Sequence, residues 1–314
     1  MNESDTEERD GLGPWGLLKK TVTTWLADDA LHWGASLAYY SMISLAPLVI
    51  LAMAVLGRLV GAGQAEEWVL EQVGILSGPR GADLARTVVE QAAGIDFGSA
   101  GAIFTILLLL FGATAVFANL QGSLNQIWEV ESRSGILRNL VRTRISAFLM
   151  ILALAGMILT SVLVSTGLNW LGPLLDPLEQ ILPTIKIADI VSSLVLLWLF
   201  VAAAFWVLPD VKISFWDVWV GALATSGLLV AGKLVLASFL ARNAFASLYG
   251  TAGSILLVLM WVYYSAQVFL LGAVFTKVWS RSRGRGIQPE TYAAKVRSVK
   301  VEERVSATEE ESLS

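Results

Sequence analysis

The sequence predicts an all-α, polytopic membrane protein: six transmembrane helices with both termini on the inner side, an N-terminal interfacial helix and a helical hairpin on the outer face. Three observations carry this expectation. Hydrophobic residues make up 55% of the chain and charged residues only 15%, with a mean hydropathy of +0.66, whereas soluble proteins carry about 25% charged residues. Six segments are long and apolar enough to cross a hydrocarbon core, which takes roughly 20 helical residues. Lysine and arginine are also distributed unevenly across the loops, which sets orientation.

The six segments are Ala35–Arg58, Ala100–Leu120, Ile145–Leu168, Ile187–Leu208, Val218–Leu240 and Thr251–Phe275. They do not alternate apolar and polar residues, as strands of a membrane barrel would. With both termini inside, the inner segments hold eleven lysines and arginines near span ends and the outer loops hold five. The densest basic run follows the last span, Lys277 to Arg285, and is expected to lie against anionic headgroups. The net charge of −4 reflects acids crowded into the two tails. It does not suggest nucleic-acid binding, which needs a basic stripe on a folded face.

Three domains are expected: 1–34, an N-terminal segment with an amphipathic helix; 35–277, the membrane domain; and 278–314, a basic then acidic tail without fixed structure. In the first, Trp15, Leu18, Val22, Trp25 and Leu26 recur at helical spacing beside Lys19 and Lys20. That pattern fits a helix lying on the inner leaflet or one packed against the end of the bundle. The outer loop, about 59–99, reads as two short helices separated by a turn at Gly78-Pro79. The loop Asn169–Lys186 carries Pro173, Pro177 and Pro183 and reads as extended.

Polar groups inside a membrane are costly and mark candidate sites. Tyr39, Tyr40 and Ser44 form a polar patch in span one, followed by the helix-kinking Pro47. Asn119 and Asn125 lie on two faces at the inner end of span two, near Trp128, and amides there can bond across helices. Lys233 lies inside span five, where it either snorkels outward or faces a cavity. Tyr263 and Gln267 are one turn apart in span six, and Gly250 and Gly253 would permit close helix contact. Asp28 and Asp29 precede span one and read as helix caps. The chain has no cysteine and one histidine, His32. No metal cluster, cofactor motif or catalytic signature is legible, so no enzymatic role and no cofactor are expected.

Several segments together resemble the YihY/BrkB family. They are Asp28-Asp29 followed by Ala35-Ser-Leu-Ala-Tyr-Tyr-Ser-Met-Ile-Ser-Leu-Ala-Pro-Leu, then Leu124-Asn-Gln-Ile-Trp-Glu-Val, Leu208-Pro-Asp-Val-Lys with Pro209, Tyr249-Gly-Thr-Ala-Gly-Ser, Trp261-Val-Tyr-Tyr and Leu270-Leu-Gly-Ala-Val-Phe-Thr. They occur in the family's order between Trp15 and Lys277. Many members carry Glu where this chain has Val274. The resemblance implies six spans in the bacterial inner membrane and a place in envelope biology. Some members have been labelled ribonuclease BN; the missing ligand cluster and the membrane-hugging basic residues argue against that activity here.

Two functions are therefore expected to compete: a transporter of a lipid or other amphiphile, and a non-transporting envelope scaffold. Membrane lipids are the expected partners, with a homo-oligomer or an envelope protein as further ones. In the transporter reading Tyr40, Asn125, Lys233 and Gln267 would line one cavity.

Overall fold

The structure, a computed structural model, describes residues 13–93, 102–132, 136–179, 184–242, 250–285 and 287–295. Its elements are α1 (Pro14–Ala27), α2 (Ala30–Val60), α3 (Ala62–Ala93), α4 (Ala102–Ile127), β1 (Val130–Ser132), α5 (Ile136–Glu179), α6 (Thr184–Val207), β2 (Val211–Lys212), α7 (Phe215–Arg242), α8 (Gly250–Ser282), β3 (Gln288–Pro289) and β4 (Ala293–Lys295). Among the described residues, four helical stretches are long and apolar enough to cross a membrane: Ala30–Arg58, Leu137–Ser161, Phe215–Gly232 and Val258–Ser282. The apolar stretch of α6, Leu194–Val207, is shorter.

Three elements differ from the sequence reading. α3 is assigned as one helix of 32 residues, with helical backbone at Gly78-Pro79 where a turn was expected. A proline removes one backbone hydrogen bond and kinks a helix, but flanking turns can carry the helix through it. α5 likewise continues to Glu179, so Pro173 and Pro177 lie in helix rather than in an extended loop. Residues 287–295, placed by sequence in an unstructured tail, form β3 and β4; residues 296–314 lie outside the described residues.

α2 packs against α3, α4 and α8, while α5, α6, α7 and α8 follow one another around the bundle. Trp128, Phe205, Met150, Leu270 and Val274 are among the buried residues of the main core. Phe205 meets Trp128 edge-to-face at 6.1 Å and Phe269 at 4.8 Å. Val274 is fully buried here. A carboxylate at this position would need a partner that apolar packing does not supply.

α1 shows both behaviours its sequence allows. Leu17 and Thr21 are buried and Trp25 packs on the core, while Trp15, Leu18, Val22 and Leu26 are exposed. One face therefore docks on α8. The other presents the apolar stripe that an interfacial helix sinks among headgroups.

The α7–α8 pair is locked by small residues in an antiparallel register. In membrane-type packing, small residues let backbones approach closely. Gly221 of α7 receives the side chain of Thr276, and Gly272 of α8 receives Thr225. Gly232 receives the phenol of Tyr264. Each threonine also donates to the carbonyl four residues back, Thr225 to Gly221 at 2.7 Å and Thr276 to Gly272 at 2.8 Å. The hydroxyl is satisfied within its own helix, and its oxygen sits deepest in the neighbour's notch, with the Cβ and methyl behind it. A methyl group at Gly221 would collide with a short, branched side chain that cannot swing away.

Gly221→Ala is therefore expected to destabilise by about 1–3 kcal/mol, the usual cost of overpacking. Combined with Thr276→Gly, the loss should fall well short of the sum of the two single losses. Thermal unfolding of the four proteins in detergent measures this coupling, and strict additivity would contradict the notch.

Candidate functional site

One end of the bundle gathers the buried charges Asp210, Asp217 and Lys277 of the described residues. It is formed by the α1–α2 joint, the ends of α4 and α8, the start of α5, the α6–α7 connection and the returning tail. The tail binds this end at two points. β3 pairs antiparallel with β2, Val211 opposite Pro289, and β4 pairs antiparallel with β1, Val130 opposite Lys295.

Asp210 is the centre of the first cluster and is 1% exposed. Its Oδ1 accepts from Gln121 Nε2 at 3.2 Å and lies 3.1 Å from Arg142 Nη1. Its Oδ2 accepts from Asn125 Nδ2 at 3.1 Å, and its own N–H donates to Asn125 Oδ1 at 2.9 Å. Ser146 donates to Gln121 Oε1 at 3.2 Å, which fixes the amide's orientation. The Asp210 carbonyl accepts from the Glu290 N–H at 3.0 Å. The ring of Tyr292 lies 3.6 Å from the Arg142 guanidinium carbon. The carboxylate thus joins α4, α5 and the α6–α7 connection, and the same residue's carbonyl adds the tail.

The second cluster centres on Lys277, 1% exposed. Its ammonium lies 2.9 Å from Asp28 Oδ2 and 3.0 Å from Glu129 Oε1. Arg281 reaches Glu129 at 3.4 Å. The joints feeding this cluster are strained: Asp29 has φ 54° and Glu129 has φ 58°. Non-glycine residues rarely adopt that left-handed region, and they persist there when surrounding contacts hold them. Burial raises the Glu129 carboxyl, but the hydrogen bond and charge of Lys277, then Arg281, outweigh it and hold it below the ordinary carboxylate range. A third pair joins Arg285 to the buried Asp217 at 3.5 Å.

The sequence-predicted residues divide among these places. Asn125 belongs to the Asp210 cluster. Trp128 and Pro209 are buried beside it, Trp128 in the apolar core. Asp28 holds Lys277, and Asp29 makes no side-chain cap on α2, so neither acts as the helix cap expected. Lys277, expected at the headgroups, points inward; Arg283 stays exposed and stacks over Trp279. Asn119 donates to Ser36 at 3.4 Å, and Gln267 donates to the Leu31 carbonyl at 3.2 Å and fills the notch at Gly34. Both amides grip α2. Ser44 is buried and donates to the Tyr40 carbonyl of its own helix at 2.6 Å. Tyr39 and Tyr40 are exposed, and Tyr263 is half-buried. Pro47 packs against Gly112. Gly250 and Gly253 lie in the first turn of α8, and Lys233 lies in α7 with its side chain outside the described residues. Tyr40, Asn125 and Gln267 thus have different settings: Tyr40 is exposed, Asn125 bonds to Asp210 and Gln267 bonds to Leu31.

Sequence reasoning missed Arg142, Asp210 and Lys277 as partners. In the sequence Asp210 and Asp217 are two acids near a short loop, and such acids have no meaning until a third element reaches them. The available signal was an acid directly after Pro209 between two apolar spans.

The three sets of ion pairs form a plate across the bundle end, and their exposures make it asymmetric. Arg142 is 36% exposed and can rehydrate, whereas Asp210 cannot. Arg142→Ala is expected to cost about 3–5 kcal/mol, the range for a buried ion left unpaired, and Asp210→Asn distinctly less. Unfolding in detergent ranks the two. Glu129 titrates below its ordinary value near 4.5. Its contribution should therefore be full above that pH and vanish as pH falls through the lower folded value. Glu129→Gln should remove this acid limb from a stability–pH profile.

Comparison with known proteins adds the family. A family model described as "Virulence factor BrkB" matches residues 21–296. A UPF0761 membrane protein of Rhodospirillum rubrum is 28% identical over 260 residues, 79% of this chain and 55% of the relative. Another from Albidiferax ferrireducens is 25% identical over 296 residues, covering 88% and 67%. A third from Photobacterium profundum is 26% identical over 292 residues, covering 87% and 86%. The chain therefore spans only about half the length of the Rhodospirillum relative. No solved structure matches. With apolar helices long enough to cross a bilayer and a family match running from α1 to the end of β4, the chain belongs to the BrkB family of multi-pass membrane proteins.

Proposed function

We propose that the chain crosses the bacterial inner membrane six times, with both termini inside, and moves a lipid or other amphiphile between leaflets, the ion-paired plate being its inner closure. The plate is the observation that carries this reading. Apolar packing alone would close a bundle end more simply, because burying charge costs several kcal/mol per ion before pairing returns it. A closure made of ion pairs can instead exchange partners, Arg142 and Lys277 turning from carboxylates to a passing headgroup.

Support for six spans comes from helix length. Besides the four apolar helices, α4 has 26 residues and α6 has 24, each long enough for a hydrocarbon core of about 30 Å. Support for orientation comes from the excess of lysine and arginine on the proposed inner side.

A scaffold reading is favoured by one feature, a pocket of 230 Å³ at the α2–α3 corner lined by Leu56, Gln64, Glu67, Trp68, Glu71 and Leu159. Photo-crosslinking from position 71 in cells should recover a specific envelope protein if that reading is right.

Two measurements test the proposal. The chain has no cysteine, so single cysteines report sidedness directly. Gln64→Cys should react with an impermeant maleimide in intact spheroplasts, and Arg283→Cys only after permeabilisation. In proteoliposomes, fluorescent phospholipid should reach the opposite leaflet at least several-fold faster than in empty vesicles. Rates equal to empty vesicles across phospholipid classes would overturn transport and leave the scaffold reading.

A further inference from the structure

Arg144 stands apart from the plate. Arg144 directly precedes the predicted third span at Ile145, but α5 begins at Ile136, so Arg144 lies in the helix's third turn. It is two positions from Arg142, and the two side chains leave the helix about 200° apart. Arg142 turns to Asp210; Arg144 turns to α4.

There its Nη1 donates to Thr114 Oγ1 at 2.8 Å and to the Phe111 carbonyl at 3.2 Å. The guanidinium carbon lies 3.9 Å from the centre of the Phe111 ring. Thr114 is at the middle of α4, roughly 20 Å along the axis from Ile127 at 1.5 Å per residue. Arginines near helix ends ordinarily run outward and leave the charge at the interface. This one carries its charge to mid-helix. Both of its acceptors are neutral. Among the described residues no carboxylate lies within ion-pair distance of it, and its Nε is buried without a hydrogen-bond partner. Leu107, Phe111, Ile145 and Phe148 around it are exposed and apolar.

A guanidinium offers five donors in a fork that matches phosphate. Held inside an apolar window with one nitrogen engaged and no counter-ion, it is an incomplete anion site. Its surroundings select the rest of the ligand: exposed aliphatic and aromatic side chains of α4 and α5 suit acyl chains. We infer that the α4–α5 groove binds an anionic phospholipid, the phosphate on Arg144 and the chains along Leu107, Phe111 and Phe148. The inference deepens the amphiphile-transport reading by naming a headgroup charge, and it rests on that reading for the lipid's route but not for its binding.

The test uses the purified full-length chain and native mass spectrometry with phosphatidylglycerol and phosphatidylcholine. The wild type should retain phosphatidylglycerol about tenfold better. Arg144→Gln should abolish the preference, Arg144→Lys should keep part of it, and the exposed control Arg86→Gln on α3 should leave it unchanged. Excess inorganic phosphate should not displace the lipid; displacement would make the ligand a free anion and overturn the lipid assignment. Equal retention of the two lipids by the wild type, or an unchanged preference in Arg144→Gln, would also overturn it. If Arg144→Gln does not fold, the wild-type preference and the Arg144→Lys loss still decide. Selective retention without leaflet exchange would sink transport and leave the site standing; leaflet exchange without Arg144-dependent retention would do the reverse.

Discussion

A carboxylate with almost no access to water at the end of an apolar bundle needs polar partners on its oxygens. Asp210 has them on both. Two amides from α4 and a guanidinium from α5 converge on it, and its backbone is held by Asn125 and by the tail. Unpaired, such a charge would cost several kcal/mol. The positions of α4, α5, the α6–α7 connection and β3 are thus coupled through one residue. Lys277 has the same role for α1, α4 and α8, with opposite sign.

The two clusters organise the bundle end differently from its body. In the body, packing is by shape: Gly221 and Gly272 against Thr276 and Thr225, Gly34 against Gln267, and the edge-to-face aromatic contacts through Trp128, Phe205 and Phe269. Lipid is as apolar as these side chains, so close approach rather than water exclusion holds helices together there. At the end, pairing is by charge, and charge pairs can be exchanged for other anions or cations. That contrast is why the proposed moving part lies at the plate and not in the α7–α8 seam.

Arg144 follows from the same reasoning with the opposite outcome. Its helix places it 200° from its neighbour Arg142, one facing carboxylate and the other facing hydrocarbon. A charge left with neutral acceptors in that setting is costly unless something supplies the missing anion. The tail strands add a further constraint, since Tyr292 covers Arg142 while β3 and β4 tie two otherwise separate connections together.

Composition and pattern determined that the chain enters a membrane, because no water-exposed surface could hide so many apolar residues. They also determined where most helices run, since apolar length is a local property, and the motif order made the family legible. The amphipathic α1 and the cross-helix amide of Asn125 were readable for the same reason. What only tertiary structure decided was pairing. Lys277 was expected to face headgroups and Asp28 to cap a helix, and nothing local gave Arg144 a partner. Lys277 meets Asp28 across 249 positions and Arg144 meets Thr114 across 30, separations that no local pattern encodes. The Gly221–Thr276 notches were invisible for the same cause. A glycine in an apolar run looks alike whether it faces lipid or a neighbouring helix, and only the register of two antiparallel helices gives it a meaning.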